Sequence, residues 1–305
     1  MTARWLSALA AGILLASCAA NAQGLLGLAT QAKDLAYPAA PSAAPVDGSR
    51  MALLKPNGPG PFPAIVLHHQ CAGLHTLDRR PRPNRSMGTW AQAAVRQGYV
   101  VLLIDSLSQR GVDSLCDGPK NGVNFPRGVR DAMQGADYLR TLPYVDKKRI
   151  AHVGFSWGAF VALLGSSSDL RGALPGSEGF AATVAVYPGC STIKPTNGLP
   201  PFEIVRNRID HPVLVLMGDK DVETPADECV RKLQAAKEAG APFEWYVFRN
   251  ATHCWDCEHL NGTSRTLRGI NSVYRFNPSV TEDTRRRVFE FLERTWTAGR
   301  TTGRE

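Results

Sequence analysis

The sequence predicts a fold of the α/β class, with a mostly parallel central sheet and helices on both faces. Short runs of β-branched and aliphatic residues, such as residues 99–104, alternate along the chain with segments of helical periodicity. This alternation favours parallel strands joined by right-handed crossovers. The strand runs are apolar throughout, which is typical of strands buried on both faces. The 305 residues are 44% hydrophobic, enough for one sizeable core.

The N-terminus is predicted to be a targeting segment that is not part of this fold. A basic residue precedes an apolar run over 6–16, which is too short to span a bilayer and has the build of a secretory signal. One alternative is a signal peptide over 1–22 that leaves Gln23 first. The other is a bacterial lipoprotein box at 15–18, which would put a lipid anchor to the membrane on Cys18. Both predict an exported protein: periplasmic, anchored to the outer membrane, or secreted.

The order of the elements follows from the apolar pattern. Residues 23–48, rich in alanine and proline, are predicted to be a tether or irregular lead-in. The folded domain is predicted over 49–298, followed by a flexible tail over 299–305. Strands are predicted at 51–54, 64–68, 99–104, 149–153, 181–187, 212–217 and 243–248. Helices are predicted at 89–97, at 129–142, from 159, at 226–239, and from a cap at Thr281.

The formal charge of +8 is dispersed along the chain. Its densest cluster, at 79–85, lies in a proline-rich segment that we interpret as a solvated surface loop, with an anion-binding patch as the alternative. The aromatic interleaving typical of nucleic-acid binding is absent from the sequence, so no nucleic-acid partner is predicted.

Residues 154–158, Gly-Phe-Ser-Trp-Gly, form a G-x-S-x-G pentapeptide between a predicted strand and a predicted helix. That setting is what a nucleophile elbow needs. The turn is tight enough to strain Ser156, and only glycine leaves room beside it. The pattern predicts that the Ser156 hydroxyl stands above the sheet near the positive end of the following helix.

A serine nucleophile needs a base, and the base needs an orienting acid. In an elbow-bearing fold the chain order is serine, acid, histidine. Asp221 follows one predicted strand and His253 follows the last, so both fit this order. Asp219 is the alternative acid, but we interpret its side chain as a hydrogen-bond partner of the backbone of its own turn. Glu223 is a more remote alternative.

The loop after the strand at 64–68 is predicted to supply an oxyanion hole, because backbone amides usually stabilise the tetrahedral intermediate of acyl transfer. The amide of Trp157 is one predicted donor. The other is the amide of Cys71, with Gln70 as the alternative. His68 and His69 are interpreted as supports for this loop.

Beyond Cys18, an even number of cysteines in an exported chain suggests disulfides, although six permit 15 connectivities. These six are Cys71, Cys116, Cys190, Cys229, Cys254 and Cys257. The C-x-x-C at 254–257 follows a strand, and we interpret it as structural. No second cysteine pair lies at metal-ligand spacing, so no metal site is predicted.

The chain resembles the dienelactone hydrolase family of α/β-hydrolases over about residues 50–296. The motifs that carry the resemblance occur in order: 67–74, 105–106 with 110–111, 154–158, 187–190, 218–221 and 252–253. The resemblance implies hydrolysis of small-molecule esters or lactones without a cofactor, with Ser156, Asp221 and His253 as the triad. The family's namesake enzymes use a cysteine nucleophile and are cytosolic. This chain has Ser156 in that place, and its N-terminus predicts export.

The prediction is therefore an exported serine hydrolase that cleaves carboxylic esters or lactones. The alternatives are a serine peptidase on the same fold and a catalytically silent binding lipoprotein. Arg110 has two interpretations that the sequence leaves open: contact with a substrate carboxylate, or an ion pair that anchors its own loop.

Overall fold

The structure is a computed structural model that describes residues 24–43, 46–75, 83–173, 177–195, 199–267 and 269–301. The predicted signal peptide, Cys18 and residues 79–82 of the basic cluster lie outside these ranges. The strands are β1 (Ala52–Leu54), β2 (Phe62–His68), β3 (Val100–Ile104), β4 (Val145–Phe155), β5 (Ala182–Val186), β6 (Thr192–Ile193), β7 (Phe202–Glu203), β8 (Val213–Gly218), β9 (Phe243–Phe248), β10 (Ser264–Leu267) and β11 (Ile270–Val273).

Seven of these strands form the central sheet, in the order β1-β3-β2-β4-β5-β8-β9. Strand β1 pairs antiparallel with β3 at one edge, and the other neighbouring pairs are parallel. This confirms the predicted α/β class and the mostly parallel sheet. Strand β3 lies on one side of β2, whereas β4 and the later strands of this sheet lie on the other side. The strand order therefore changes direction between β2 and β4. Sheets of this kind bind ligands at such a point, beyond the carboxyl ends of the strands.

Helices cover both faces of the sheet, as predicted. They are α1 (24–29), α2 (Arg85–Arg96), α3 (Phe125–Thr141), α4 (Trp157–Gly165), α5 (Ser168–Ala173), α6 (Ala226–Glu238) and α7 (Pro278–Thr301). Side chains of β2 alternate between two apolar clusters because successive strand residues face opposite ways. Val66 packs with α3, α4 and α6 in one cluster, whereas Leu67 packs with α2 and α7 in the other.

The lead-in before the domain differs from its prediction, because part of it is docked on the fold. Leu25, Leu28 and Ala29 of α1 are buried in the cluster that holds α3 and α4. The Tyr37 hydroxyl donates to the backbone carbonyl of Asp131. An alanine-rich composition does not distinguish a solvated tether from a short helix that buries one apolar face.

The C-terminal helix also differs in its bounds. It begins at Pro278 rather than after Thr281, because the side chain of Asn277 caps it by accepting from the amide of Val280. It continues to Thr301, into the segment predicted as a flexible tail, and residues 302–305 lie outside the described part. Within the described residues, none of the helices combines the length and the apolar character needed to cross a membrane.

Candidate active site

The G-x-S-x-G segment forms a sharp turn between β4 and α4. Ser156 lies in that turn with φ 48° and ψ −114°, a left-handed conformation that costs a non-glycine residue roughly 1–3 kcal/mol. A Cβ atom on Gly154 would lie 2.0 Å from the carbonyl oxygen of Gly158, and one on Gly158 would lie 2.5 Å from the carbonyl oxygen of His68. Both glycines are therefore required by backbone contact.

Ser156, His253 and Asp221 lie in one hydrogen-bonded series above the sheet. The Nε2 atom of His253 is 2.9 Å from the Ser156 hydroxyl oxygen, and its Nδ1 atom is 2.7 Å from Oδ2 of Asp221. The three residues follow β4, β9 and β8 at their carboxyl ends, which the parallel pairing brings to the same edge. A carboxylate only accepts hydrogen bonds, so Nδ1 carries the proton and Nε2 of the neutral ring is free to accept from the serine.

The loop after β8 fixes the Asp221 carboxylate. Its Oδ1 atom accepts from the amides of Glu223 and Thr224, both at 2.9 Å, and its Oδ2 atom accepts from the Thr224 hydroxyl at 2.8 Å. Asp219, the alternative acid, is exposed on the same loop. Of the two aspartates, the structure therefore brings Asp221 to the imidazole.

Three carboxylates, those of Asp221, Glu223 and Asp256, act on the charge of His253. Burial is the largest single influence and lowers the pKa of this group. Asp221, its hydrogen bond to the ring, and the charges of Glu223 and Asp256 together outweigh burial and raise the pKa of His253 to about 9. Glu223 Oε2 lies 3.8 Å from Nε2, the ring nitrogen that faces Ser156. The arrangement therefore favours the imidazolium that forms when His253 takes a proton.

The predicted oxyanion loop lies against the start of α4. The Gly158 amide donates to the carbonyl of His69, which holds the loop beside the elbow. Trp157 is the first residue of α4, and the first amides of a helix have no acceptor within it. Cys71 lines the cleft beside Ser156, and its carbonyl accepts from the Leu115 amide.

His68 and His69 do support this loop. The Nδ1 atom of His69 contacts the carbonyl oxygen of Gln70 at 2.6 Å, and its Nε2 atom accepts from the Ser106 amide at 3.1 Å. Nε2 of His68 lies 3.1 Å from the Ser106 hydroxyl oxygen. Burial lowers the pKa of both imidazoles, so both are neutral. The ring of His69 also stacks on Trp157.

A buried polar network, which sequence reasoning missed, joins the oxyanion loop to the region of His253. The Gln70 amide donates to the Tyr187 hydroxyl at 3.1 Å, and that hydroxyl donates to Asp256 at 2.8 Å. The other carboxylate oxygen of Asp256 accepts from Ser86 and the Trp90 indole, both at 2.7 Å. Asp256 lies between the two cysteines of the C-x-x-C motif, and the motif alone does not indicate that this carboxylate belongs to a buried network.

Three disulfides join the six cysteines: Cys71–Cys116, Cys190–Cys229 and Cys254–Cys257. The prediction of disulfides is confirmed. Sγ atoms of Cys254 and Cys257 lie near Asp256 at distances that could suit a metal ion. The two sulfurs are bonded to each other, so they do not present the thiolates that a metal would need.

Arg110 anchors its loop, so the interpretation as a contact for a substrate carboxylate is wrong. Its guanidinium pairs with both carboxylate oxygens of Asp131, at 2.6 and 2.7 Å, and its remaining donors reach the carbonyls of Ser106 and Lys33. An arginine has five N–H donors, and all five are used here. The side chain is 2% exposed and does not line the cleft.

Ser156 and His253 open into a cleft of about 460 Å³. Its walls come from the oxyanion loop, from the segment after His253, and from the hairpin of β10 and β11, which the sequence analysis did not predict. Glu223 and Tyr274 line the same cleft. A volume of this order suits a small ligand.

Comparisons with known proteins agree with this architecture. The model of the dienelactone hydrolase family matches residues 50–296. A Yersinia pestis protein assigned as a carboxymethylenebutenolidase is 25% identical over 210 residues, which cover 66% of this chain and 71% of that protein.

Two solved structures share the fold. A Klebsiella pneumoniae protein assigned as a dienelactone hydrolase superposes with a TM-score of 0.57 and 18% identity, covering 80% of this chain and 92% of that one. A thermophilic esterase of Thermogutta terrifontis, solved with propionate bound, superposes with a TM-score of 0.56 and 19% identity, covering 80% and 88%. Identities this low show the fold alone. The family match extends over most of the chain, which belongs to the dienelactone hydrolase family of α/β-hydrolases and is a carboxylic-ester hydrolase.

Proposed function

We propose that this enzyme is an exported serine hydrolase that cleaves small-molecule esters or lactones through Ser156, His253 and Asp221. The observation that carries the proposal is the series of two short contacts, 2.9 Å from the Ser156 hydroxyl to His253 and 2.7 Å from His253 to Asp221. Ser156 and His253 of this series line the cleft. A serine, a base and an orienting acid in that order are the parts that acyl transfer needs.

Acylation begins when His253 Nε2 takes the proton of the Ser156 hydroxyl as Oγ bonds to the acyl carbon. The negative charge moves to the former carbonyl oxygen, and the imidazolium is stabilised by Asp221. The C–O bond to the alcohol then breaks, and His253 returns its proton to the leaving oxygen. The products of this half-reaction are the free alcohol and an acyl ester of Ser156.

Deacylation repeats the steps with water. His253 takes a proton from the water as its oxygen attacks the acyl carbon, and then gives that proton back to Ser156 Oγ as the acyl–serine bond breaks. A carboxylic acid leaves the site and the free serine is restored.

The amides of Cys71 and Trp157 are the proposed oxyanion donors. Support comes from the Trp157 position at the N-terminus of α4 and from the loop contact between Gly158 and His69. Pre-organised amides of this kind stabilise the charge that develops during attack. The Cys71–Cys116 disulfide ties the loop to residues after β3 and so limits its movement.

Export is proposed from two features. The N-terminal run over 6–16 has the composition of a secretory signal. Three disulfides suit an oxidising compartment. The mature protein then begins at Gln23, or at a Cys18 that carries a lipid anchor to the membrane. Expression of the full chain in a bacterium, with mass spectrometry of the mature N-terminus, tests this proposal, which an unprocessed cytoplasmic product would contradict.

The catalytic proposal is tested with Ser156→Ala on p-nitrophenyl acetate. Activity should fall to the background rate, because no other group supplies the nucleophile. Ser264→Ala is the matched control, since Ser264 is exposed and lines the same cleft, and this variant should keep its activity. Normal turnover by Ser156→Ala would overturn the proposal. A peptide panel separates the serine peptidase alternative, and lack of turnover by the unaltered enzyme on every ester, lactone and peptide would favour the silent binding protein.

A further inference from the structure

Glu223 is a buried carboxylate of the cleft to which the reaction above gives no direct part. It lines the cleft, and its side chain is 9% exposed. Its Oε1 atom is buried and accepts no hydrogen bond from the residues that the structure describes. The Tyr274 hydroxyl lies beside the same carboxylate, and burial together with this negative charge raises the pKa of Tyr274. Within the described ranges, His253 is the one ion-pair partner of Glu223, through Oε2. A buried acceptor without a donor costs free energy, so Oε1 is poised to accept from a bound molecule.

The position of Glu223 relates it to the leaving alcohol. The leaving oxygen takes its proton from His253 Nε2, so it must come within hydrogen-bond distance of that atom. Glu223 Oε2 lies 3.8 Å from the same nitrogen. A donor group that reaches this carboxylate therefore lies close to the leaving oxygen. In a gauche 1,2-diol the two oxygens are near neighbours, so one can face His253 while the other faces Glu223.

We propose that the cleft selects esters whose leaving alcohol carries a hydroxyl on the carbon next to the ester-bearing carbon, as in partial esters of polyols. Glu223 accepts the hydrogen bond of that hydroxyl. This inference rests on the proposed function, because it takes Ser156 as the nucleophile and His253 as the proton donor to the leaving oxygen.

The surroundings favour a neutral donor over an ammonium group. His253 carries the proton that it gives to the leaving oxygen, and its Nε2 atom lies 3.8 Å from Glu223 Oε2. An ammonium group at Glu223 would meet this positive charge, whereas a hydroxyl carries no charge to be repelled. Hydrogen bonds to an ionised acceptor are stronger than those to a neutral one, so a hydroxyl gains specific binding from Glu223.

The test compares 2-hydroxyethyl acetate with n-propyl acetate, which has nearly the same size but a methyl group in place of the hydroxyl. The quantity measured is the ratio of the two kcat/KM values, each divided by the rate of hydroxide-catalysed hydrolysis. Any change in the pKa of His253 acts on both substrates alike and cancels in this ratio. Glu223→Met keeps the side-chain length without the carboxylate, and Glu258→Gln, at an exposed acid beside the cleft, is the matched control.

The unaltered enzyme should favour the hydroxyl ester by roughly tenfold or more, the size expected for a hydrogen bond to a charged group. Glu223→Met should bring the ratio near one, and Glu258→Gln should leave it unchanged. Where Glu223→Met does not fold, Glu223→Gln should still lower the ratio, because the acceptor loses its charge. A ratio near one in the unaltered enzyme, an unchanged ratio in the Glu223 variants, or a preference for acetylcholine over both esters would overturn the inference. Turnover of all these esters that requires Ser156 leaves the proposed function intact in each case.

Discussion

Two buried clusters of charge in this molecule look alike in composition and differ in how completely they are paired. In the Asp131 cluster (Arg110, Arg127 and Asp131), both arginines bind one carboxylate, and the remaining donors of Arg110 are used by backbone carbonyls. In the His253 cluster (His253, Asp221 and Glu223), two carboxylates share one imidazole, and Oε1 of Glu223 accepts no hydrogen bond from the described part of the chain.

The difference teaches how to distinguish a structural charge from a functional one. The Asp131 cluster lies away from the cleft and holds α3 against the N-terminal segment, where Arg127 also bonds to the carbonyls of Ala29 and Ala32. In the His253 cluster, His253 and Glu223 line the cleft, and Oε1 of Glu223 can accept a hydrogen bond from a bound molecule. Burial and charge are common to both, so incomplete pairing beside open volume is the informative feature.

The largest effect is expected from the orienting acid of the His253 cluster. Asp221→Asn keeps the shape but no longer holds His253 in the required tautomer, so kcat should fall by about 10⁴-fold. Steady-state kinetics on p-nitrophenyl acetate measure it. Asp219→Asn, two residues earlier and exposed, is the control and should retain normal kinetics. Equal losses in the two variants would contradict the assignment of the acid.

The Asp131 cluster should respond in stability rather than in catalysis. Asp131→Asn leaves the buried guanidinium of Arg110 without a carboxylate and that of Arg127 with only the partly exposed Asp34, and this should lower the free energy of unfolding by about 3–5 kcal/mol. Urea denaturation measures the loss, while kcat of the folded fraction should stay near normal. Asp283→Asn, in a partly exposed ion-pair group of α7, should cost at most about 1 kcal/mol. A large fall in kcat with little loss of stability would contradict this prediction and would indicate that Arg110 and Asp131 take part in catalysis.

Two disulfides with similar sequence separations allow the effect of a cross-link on stability to be separated from its effect on the oxyanion loop. Cys71–Cys116 spans 45 residues and Cys190–Cys229 spans 39. Serine replacement of either pair should remove roughly 4 kcal/mol of stability in the chain-entropy account. The proposed oxyanion loop is tied by the first pair alone, so only that variant should also lose kcat, by roughly tenfold or more. Equal kcat values for the two double variants would contradict the oxyanion role proposed for Cys71.

The smallest expected effect is a shift in pH dependence. His253 acts as a base only when neutral, and its pKa is raised to about 9, so kcat/KM should rise with pH and level off above that value. Glu223→Gln removes one of the carboxylates that raise this pKa, so the inflection should move to lower pH. A profile of the unaltered enzyme that is flat above pH 7 would contradict the prediction.

The raised pKa of His253 also makes the stability of the fold depend on pH, in the direction opposite to that of kcat/KM. Because the folded-state pKa of about 9 exceeds the ordinary value of 6.5, the protonated ring stabilises the fold. This contribution is complete below pH 6.5 and is lost as the pH rises through about 9. Urea denaturation at intervals across that range should show a falling contribution from His253, which His253→Gln abolishes.

The sequence predicted the parts of the site that lie at strand ends. A buried strand has a recognisable apolar pattern, and parallel pairing brings Ser156, Asp221 and His253 to one edge. Their roles as a triad stay a prediction, although the structure brings them within hydrogen-bond distance. The family and the α/β class are confirmed, because they depend on the order of motifs along the whole chain.

Features that depend on side-chain packing between distant segments could not be predicted. The docking of α1 on α3 brings the carbonyl of Ala29 to Arg127, nearly a hundred residues later. The role of Arg110 was undecided because the sequence does not show that Asp131 faces it. The sequence indicates Glu223 only as a remote alternative to Asp221, since its closeness to Nε2 of His253 depends on how the loop after β8 folds.

The most direct test of the central claim is covalent labelling of the unaltered enzyme with a fluorophosphonate, followed by peptide mass spectrometry. A serine activated by His253 at the elbow should react once per chain, with the added mass on Ser156, and Asp221→Asn should slow this labelling severely. An adduct on any other residue, or an active enzyme that resists the reagent, would contradict the account.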